Sequence, residues 1–354
     1  MTAEEHMDTQ KTALQAQMLA NRLKKRFRHL GKWARRVGTS AFRLYDRDIP
    51  EIPLVLDVYG DNVQGSAVSG ALYKRPYEKS DEDEAAWLGA MQEAVAQALE
   101  IDSGAVIIKM RQKQRGLGQY EKLGARGLER HAREGALKFK VNLSDYLDTG
   151  LFLDRRAMRA LVGAEARGGR ALNLFCYTAS FSLCAASGGA LSTDSVDLSN
   201  TYLAWALENF RLNGFASEIF QRRDFFAARH GALPPNCLIR ADARAFLRDA
   251  AEAGLRWDSI VVDPPAFSNS AMSAADFDLG RDYGDLLRAS LALLAPGGKL
   301  WFSASARSFR GGADDLRAEL SGLFPTARIA DIGRQVVDED FRDRKVPKAF
   351  TITL

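Results

Sequence analysis

An acid followed by two prolines, Asp263-Pro264-Pro265, closes the apolar run Ile260-Val261-Val262. A run that stops this way reads as a buried parallel strand. Its carboxylate then lies at the carboxyl end of a sheet, where open α/β folds bind ligands. Proline has a fixed φ and no N–H for a ladder, so the turn after the acid is stiff. A stiffly held carboxylate suits the recognition of hydrogen-bond donors on a substrate. Two more acids close strand-like segments upstream. Asp197 ends Ser195-Val196, about two dozen residues after Asn173, where a carboxylate can accept from both hydroxyls of a ribose. Asp242, in Arg240-Ala241-Asp242-Ala243, is placed to accept from an adenine amino group. Both could instead cap the helix that follows.

The first turn of this series runs Asn173-Leu174-Phe175-Cys176-Tyr177-Thr178-Ala179-Ser180. It lacks the G-x-G-x-x-G pattern that seats a pyrophosphate on a helix N-terminus. Three acids after successive strands, without a phosphate cradle, imply a nucleoside cofactor that carries no phosphate. S-adenosylmethionine fits, with Asn173, Phe175, Tyr177, Thr178, Asp197 and Asp242 around it.

The elements that position these residues alternate along the second half of the chain. Strand patterns at Leu172–Phe175, Leu191–Val196, Ser259–Val262 and Lys299–Ser303 are separated by helical ones, and a last strand covers Ala349–Leu354. That alternation predicts an α/β fold with a doubly wound, mainly parallel, Rossmann-like sheet, the last strand being a candidate antiparallel partner. With 354 residues, 46% of them apolar, the chain can bury two cores. The expected organisation is a flexible tail over 1–17, a smaller α/β domain over 18–144 and the cofactor domain over 145–354. In the smaller domain an amphipathic helix starts near Leu19, strands follow at Ala41–Tyr45, Pro53–Tyr59 and Ala105–Met110, and a helix spans about Glu82–Leu99. Gly116–Glu134, rich in glycine and charge, reads as a loop or short helices.

The formal net charge is +4, unevenly spread. Arg22, Lys24, Lys25, Arg26, Arg28, Lys32, Arg35 and Arg36 follow one another without an acid between them, and a second run holds Lys109, Arg111, Lys113, Arg115, Lys122 and Arg126. Clustered bases outside the cofactor domain favour a polyanion partner, because binding phosphates releases counterions. No apolar run approaches the length of a membrane span, and no signal peptide is apparent. Cys176, Cys184 and Cys237 have neither metal-site nor disulfide spacing, which reads as reduced thiols in a cytoplasmic protein.

The motifs Leu172–Thr178, Val196-Asp197-Leu198-Ser199 and Asp263-Pro264-Pro265-Ala266-Phe267-Ser268-Asn269-Ser270 resemble those of class I methyltransferases acting on large-subunit (23S) ribosomal RNA. The similarity is to the guanine-N7 half of the bifunctional bacterial enzymes that also carry a guanine-N2 half. It extends over Met18–Leu23, Lys32–Arg36, Tyr45-Asp46, Gln119–Gly124 and Asp145–Asp154. The resemblance implies methyl transfer to guanine N7 of 23S ribosomal RNA or of a large-subunit assembly intermediate. It adds Leu198 to the cofactor site and brings Phe152, Asp154 and Arg155 to the methionine end, with Arg155 facing the methionine carboxylate. It places Asp263, Pro264, Pro265 and Phe267 at the target, with Phe309, flanked by Arg307 and Arg310, as a second stacking partner for the base. The basic runs, from Arg22 and Lys24 to Lys109, Arg111 and Lys122, would grip RNA phosphates. The sequence shows no counterpart of the guanine-N2 half or its RNA-binding domain, so a separate guanine-N2 methyltransferase protein is an expected partner.

Two other chemistries and one non-catalytic reading fit parts of the pattern. Cytosine-C5 methylation needs a cysteine nucleophile, and Ala304 stands where relatives of that type carry it. Exocyclic amine methylation favours an aromatic directly after Asp-Pro-Pro, where this chain has Ala266. A non-catalytic RNA-binding module would have no need of the three acids. Guanine N7 has an in-plane lone pair and no proton to lose, so holding it in line with the methyl supplies much of the catalysis.

Overall fold

In the computed structural model the chain divides into two compact units: Met1–Leu153 with Glu339–Phe341, and Asp154–Asp338 with Arg342–Leu354. The structure describes residues 3–60, 65–73, 80–110, 124, 126–228, 231, 233–268, 276–304, 309–342 and 347–354.

In the first unit, α1 (Ala3–Val37) and α2 (Asp81–Leu99) pack on each other. They share a core with a four-stranded sheet of β1 (Ala41–Asp46), β2 (Leu54–Tyr59), β3 (Ala67–Leu72) and β4 (Val106–Met110), joined in that order. The helical spacing of Leu19, Leu23, Leu30 and Trp33 explains why that face of α1 is buried. Residues read as a tail belong to this helix. Gln15 is buried and accepts a 2.6 Å hydrogen bond from Trp87 Nε1, so packing reaches one turn N-terminal to Leu19. Part of the segment read as a loop is a strand: β5 (Glu129–Glu134) pairs with β6 (Leu137–Asn142). Gly135, at φ +59°, opens the two-residue turn between them. The short turn Glu339–Phe341 completes this unit. Asp340 accepts from the Arg43 backbone N–H at 3.0 Å, and the Arg43 guanidinium lies 4.9 Å from the Phe341 ring centre.

The second unit is built on eight strands. They are β7 (Arg170–Leu174), β8 (Ser192–Asp197), β9 (Ser217–Gln221), β10 (Asn236–Arg240), β11 (Trp257–Val262), β14 (Leu294–Ala304), β15 (Arg328–Asp331) and β16 (Lys348–Thr353). The order is β15-β16-β14-β11-β7-β8-β10-β9, with every pair parallel except those made by β16. The last strand is thus antiparallel, as its sequence context suggested. Helices α3 (Arg156–Ala164), α4 (Ser180–Ser187), α5 (Asn200–Leu212), α6 (Arg222–Ala228), α7 (Ala243–Glu252), α8 (Leu279–Leu291) and α9 (Ala313–Leu320) connect the strands. The chain leaves β7 towards β8 on one side and reaches β11 on the other. That reversal opens a crevice at the carboxyl ends of β7 and β11, where doubly wound sheets bind ligands.

Candidate active site

Five strand ends supply the site, those of β7, β8, β10, β11 and β14. Register fixes their neighbours: Leu174 pairs with Val196, so the loop after β7 starts beside Asp197. Val262 pairs with Phe302, so Asp263 lies beside Ser303.

The loop after β7 is held in an uncommon conformation. Phe175, Tyr177 and Ala179 all have positive φ, at +56°, +53° and +58°. L-residues enter this region at a cost, and such strain gathers at functional sites. The surroundings hold it there. Cys176 N–H donates to Val196 O at 2.9 Å, Asn209 Nδ2 donates to Thr178 O at 3.1 Å, and Thr178 is fully buried. Tyr177 N–H donates to Asp197 Oδ2 at 2.9 Å, and its ring meets Tyr202 edge-on at 4.4 Å. Phe175 packs on Phe277, with ring centres 5.4 Å apart.

Asp197 accepts a second bond, from Ser199 N–H to Oδ1 at 2.9 Å. Ser199, not Asp197, caps α5, by accepting from Tyr202 N–H. Asp197 therefore keeps its place at the strand end. Burial pushes its carboxyl up to about 6, against the opposing pull of the Ser199 and Tyr177 N–H groups. Leu198 is half-buried and its carbonyl accepts from Arg240 Nε at 3.4 Å. Asp242 does act as a helix cap, its Oδ1 accepting from Ala245 N–H at 2.9 Å. The Asn173 amide is turned into the core, donating to Ser182 Oγ at 2.9 Å, and Ser195 Oγ donates to the same oxygen at 2.7 Å. Its side chain is thus structural, which corrects its assignment to the cofactor; a buried amide has to be satisfied inside the protein.

At Asp263 the arrangement differs from the expected one. Arg155 is buried, and its guanidinium grips the Asp263 carboxylate: Nε donates to Oδ2 at 2.9 Å and Nη2 to Oδ1 at 3.2 Å. Nη1 donates to Asp154 Oδ2 at 3.0 Å, and Ser303 Oγ donates to Asp263 Oδ1. Burial alone would lower the arginine's pKa, but Asp263 and Asp154 raise it instead. Trading Asp263 for a ligand carboxylate would break this two-point contact and leave Asp263 with Ser303 alone.

Pro264 is buried and Pro265 half-buried. Beyond them, β12 (Phe267–Ser268) pairs with β13 (Phe277–Asp278) in a two-stranded ribbon, and Phe267 is 42% exposed, as stacking on a base requires. Phe309 is not available for stacking. It is 5% exposed, with ring centres of Tyr283, Phe302 and Phe350 at 5.1, 5.3 and 6.4 Å. Edge-on packing in the core satisfies it. Arg310 and Phe152 are exposed.

Among the expected RNA contacts, Lys24, Lys25, Arg35 and Arg36 are exposed on α1. Arg22 is engaged with Asp48 at 2.8 Å. Lys109 points inward instead of towards a phosphate. Its Nζ donates to Tyr146 O, and burial lowers its pKa to about 8. Arg111, Lys122 and Arg307 lie outside the described residues. Sequence reasoning did not find Ser303, although the β11–β14 register sets it beside Asp263.

A crevice at the switch point of a parallel sheet, a strained first turn without a phosphate cradle and an acid at the second strand end define an S-adenosylmethionine-dependent methyltransferase. A family model for S-adenosylmethionine-dependent methyltransferases matches residues 46–321. Ribosomal RNA large subunit methyltransferase K of Neisseria meningitidis serogroup B is 44% identical over 94% of this chain and 86% of that protein. The chain belongs to that family. Ribosomal RNA large subunit methyltransferase K/L of Pseudomonas fluorescens is 43% identical over 95% of this chain, which spans 40% of that longer protein. The fold is also that of SMU.776 complexed with SAH, at a TM-score of 0.71 and 23% identity over 96% of this chain and 82% of that one. S-adenosylmethionine is the cofactor, and the residues fit it: Asp197 is held at the end of β8 by the backbone N–H groups of Tyr177 and Ser199, where a ribose would meet its carboxylate. Among the described residues no helix is long and apolar enough to cross a membrane.

Proposed function

We propose that this protein methylates N7 of a guanine in large-subunit (23S) ribosomal RNA, naked or in an assembly intermediate, in the cytoplasm. The observation that carries the reading is the state of Asp263. Both its oxygens already accept hydrogen bonds from Arg155 and Ser303, so it serves as a fixed acceptor rather than a mobile base. N7 needs no proton removed. The bound cofactor supplies an electrophilic methyl on a sulfonium. Asp197 and the 175–179 turn hold the nucleoside end, with Leu198 and the Asp242 strand end beside the adenine. Asp263 orients the edge of the guanine and opposes the positive charge that N7 methylation leaves on the ring. Pro264 and Pro265 stiffen that position, and Phe267 stacks on the unpaired base.

The cytosine-C5 reading finds no support at the site. Ala304 ends β14 next to Ser303, and burial raises the thiols of Cys176 and Cys237 away from the thiolate form.

The first unit is the proposed RNA-contacting body. Lys24, Arg28, Lys32 and Arg35 recur along one side of α1 and are exposed. Like charges at this spacing repel one another, and a polyanion relieves that repulsion. Replacing Lys24, Lys25, Arg35 and Arg36 by glutamate is expected to weaken RNA binding and flatten its salt dependence, with cofactor affinity intact. A separate guanine-N2 methyltransferase protein is the partner we propose. The deciding experiment is mass spectrometry of ribosomal RNA from a deletion strain complemented with wild type or Asp263→Ala. Loss of one 7-methylguanosine, restored by wild type alone, is expected. Loss of 5-methylcytidine or N2-methylguanosine instead overturns the base assignment and leaves the fold and cofactor standing.

A further inference from the structure

We propose that Arg155 is a positioning residue that acts through Asp263, with Ser303 as its second support, and is not the partner of the cofactor's methionine carboxylate. The inference rests on the reading of Asp263 as the acid of the target pocket.

Three observations carry it. Arg155 is 5% exposed, and its Nε, Nη1 and Nη2 all donate to carboxylates of Asp263 and Asp154. The Asp263 pairing is a fork, with the two donors each reaching a different oxygen. This geometry fixes the plane of the carboxylate as well as its place, which a point charge could not do. Ser303 then binds Oδ1 from the neighbouring strand, in a register already set by the β11–β14 ladder. The carboxylate is thus held from two elements: the turn before α3 and strand β14. An acid held this way has one lone pair left, on Oδ2, and presents it in one direction only. Catalysis by orientation needs that, since displacement by about 1 Å can cost about a hundredfold in rate.

The same contacts separate this role from the alternative. An arginine reserved for a ligand carboxylate would have donors directed at the crevice. Here three of its five N–H groups, one on each nitrogen, donate to acids of the protein itself.

The test uses the full chain in five forms, wild type, Arg155→Met, Arg155→Lys, Asp263→Asn and the double variant Arg155→Met/Asp263→Asn, with two ligands and one reaction. Calorimetry gives the affinities for S-adenosylmethionine and for 5′-methylthioadenosine, which lacks the methionine carboxylate. Single-turnover methyl transfer is measured on large-subunit ribosomal RNA from the deletion strain. We expect Arg155→Met to keep S-adenosylmethionine affinity within about threefold and the ratio of the two ligands unchanged, while the transfer rate falls about a hundredfold. Arg155→Lys should recover part of the rate, since it restores the charge without the fork. The double variant Arg155→Met/Asp263→Asn should be no slower than Asp263→Asn, because residues that act as a unit are not additive. That double variant removes both charges of the buried pair, so it decides the matter even if Arg155→Met alone does not fold. A tenfold loss of S-adenosylmethionine affinity with 5′-methylthioadenosine binding unchanged overturns the proposal and returns Arg155 to the cofactor. Losses that multiply in the double variant overturn it too. If Asp263→Asn alone leaves the transfer rate intact, the target-pocket reading of Asp263 fails, and the two-ligand comparison still decides whether Arg155 serves the cofactor.

Discussion

Asp197 closes β8 and Asp263 closes β11 of the same sheet, yet their surroundings differ in kind. Asp263 faces a buried guanidinium and a serine hydroxyl supplied by the protein. Asp197 is held by the backbone N–H groups of Tyr177 and Ser199, and its burial is offset so weakly that its carboxyl is pushed up to about 6. A carboxylate whose charge is poorly compensated gains when a ligand brings hydroxyl donors. One already gripped by arginine gains little, and its value is a fixed direction. Under the proposed function, binding therefore falls to the first acid and orientation to the second.

The comparison breaks most directly at Asp263. Asp263→Ala is expected to lower the transfer rate by about 10²–10³-fold, the range for loss of a preorganised electrostatic group. The dissociation constant for S-adenosylmethionine should change by less than about threefold. A collapse of cofactor binding in this variant would mean that the two acids do not divide the work.

A buried acid away from the strand ends sharpens the contrast. Asp194, on β8 as well, accepts from Trp257 Nε1 at 2.8 Å, and burial pushes it up to about 6. Its folded-state value lies above the unfolded one of 3.8. Its contribution to stability is therefore neutral below about pH 4 and becomes an increasing penalty up to about pH 6, constant above that. A shift of this size corresponds to about 3 kcal/mol. Asp194→Asn keeps an acceptor for Trp257 and removes the charge, so it should raise stability at pH 7.5 by up to that amount and leave it unchanged at pH 4. Urea titrations at the two pH values check this. An equal gain at both would mean that packing, not charge, is responsible.

The parts of the fold that were legible follow from how buried parallel strands are written. β7, β11 and β14 carry apolar runs, whereas β8, Ser-Thr-Asp-Ser-Val-Asp, is mostly polar and was marked by the acid that closes it, as Asp263 marks the end of β11. β9, Ser-Glu-Ile-Phe-Gln, is an edge strand with a half-exposed face and shows no such run. β3 is built of small residues, with Gly70 in close contact with Leu56 and Ile108, and β5 is five-sixths polar or charged, written Glu-Arg-His-Ala-Arg-Glu. Side-chain pairing was less legible than strand placement. Arg155 and Asp263 are 108 positions apart, and nothing local marks either as the other's partner. Phe309 illustrates the opposite error: an aromatic flanked by arginines looks like a nucleic-acid contact until Phe302 and Phe350 are seen to enclose it.

Asp197 itself offers the finest division between the two roles. Asp197→Ala should weaken S-adenosylmethionine binding by about 1–3 kcal/mol, the range for hydrogen bonds to a charged group. The wild-type protein should carry a matching pH signature. Ribose hydroxyls donate to the ionised carboxylate, and in the unliganded protein that form is lost as pH falls through about 6. Affinity is therefore full above this value and falls below it, by about tenfold between pH 7.5 and pH 5. 5′-methylthioadenosine is the ligand to use, since it keeps the ribose and lacks the α-amino and carboxyl groups of the methionine. Asp197→Asn should flatten the profile, whereas Asp194→Asn, which removes a carboxyl with a similar pKa from the same strand, should leave it sloped. A slope that survives Asp197→Asn and vanishes in Asp194→Asn would show that the pH dependence comes from the core of the sheet and not from contact with the ribose.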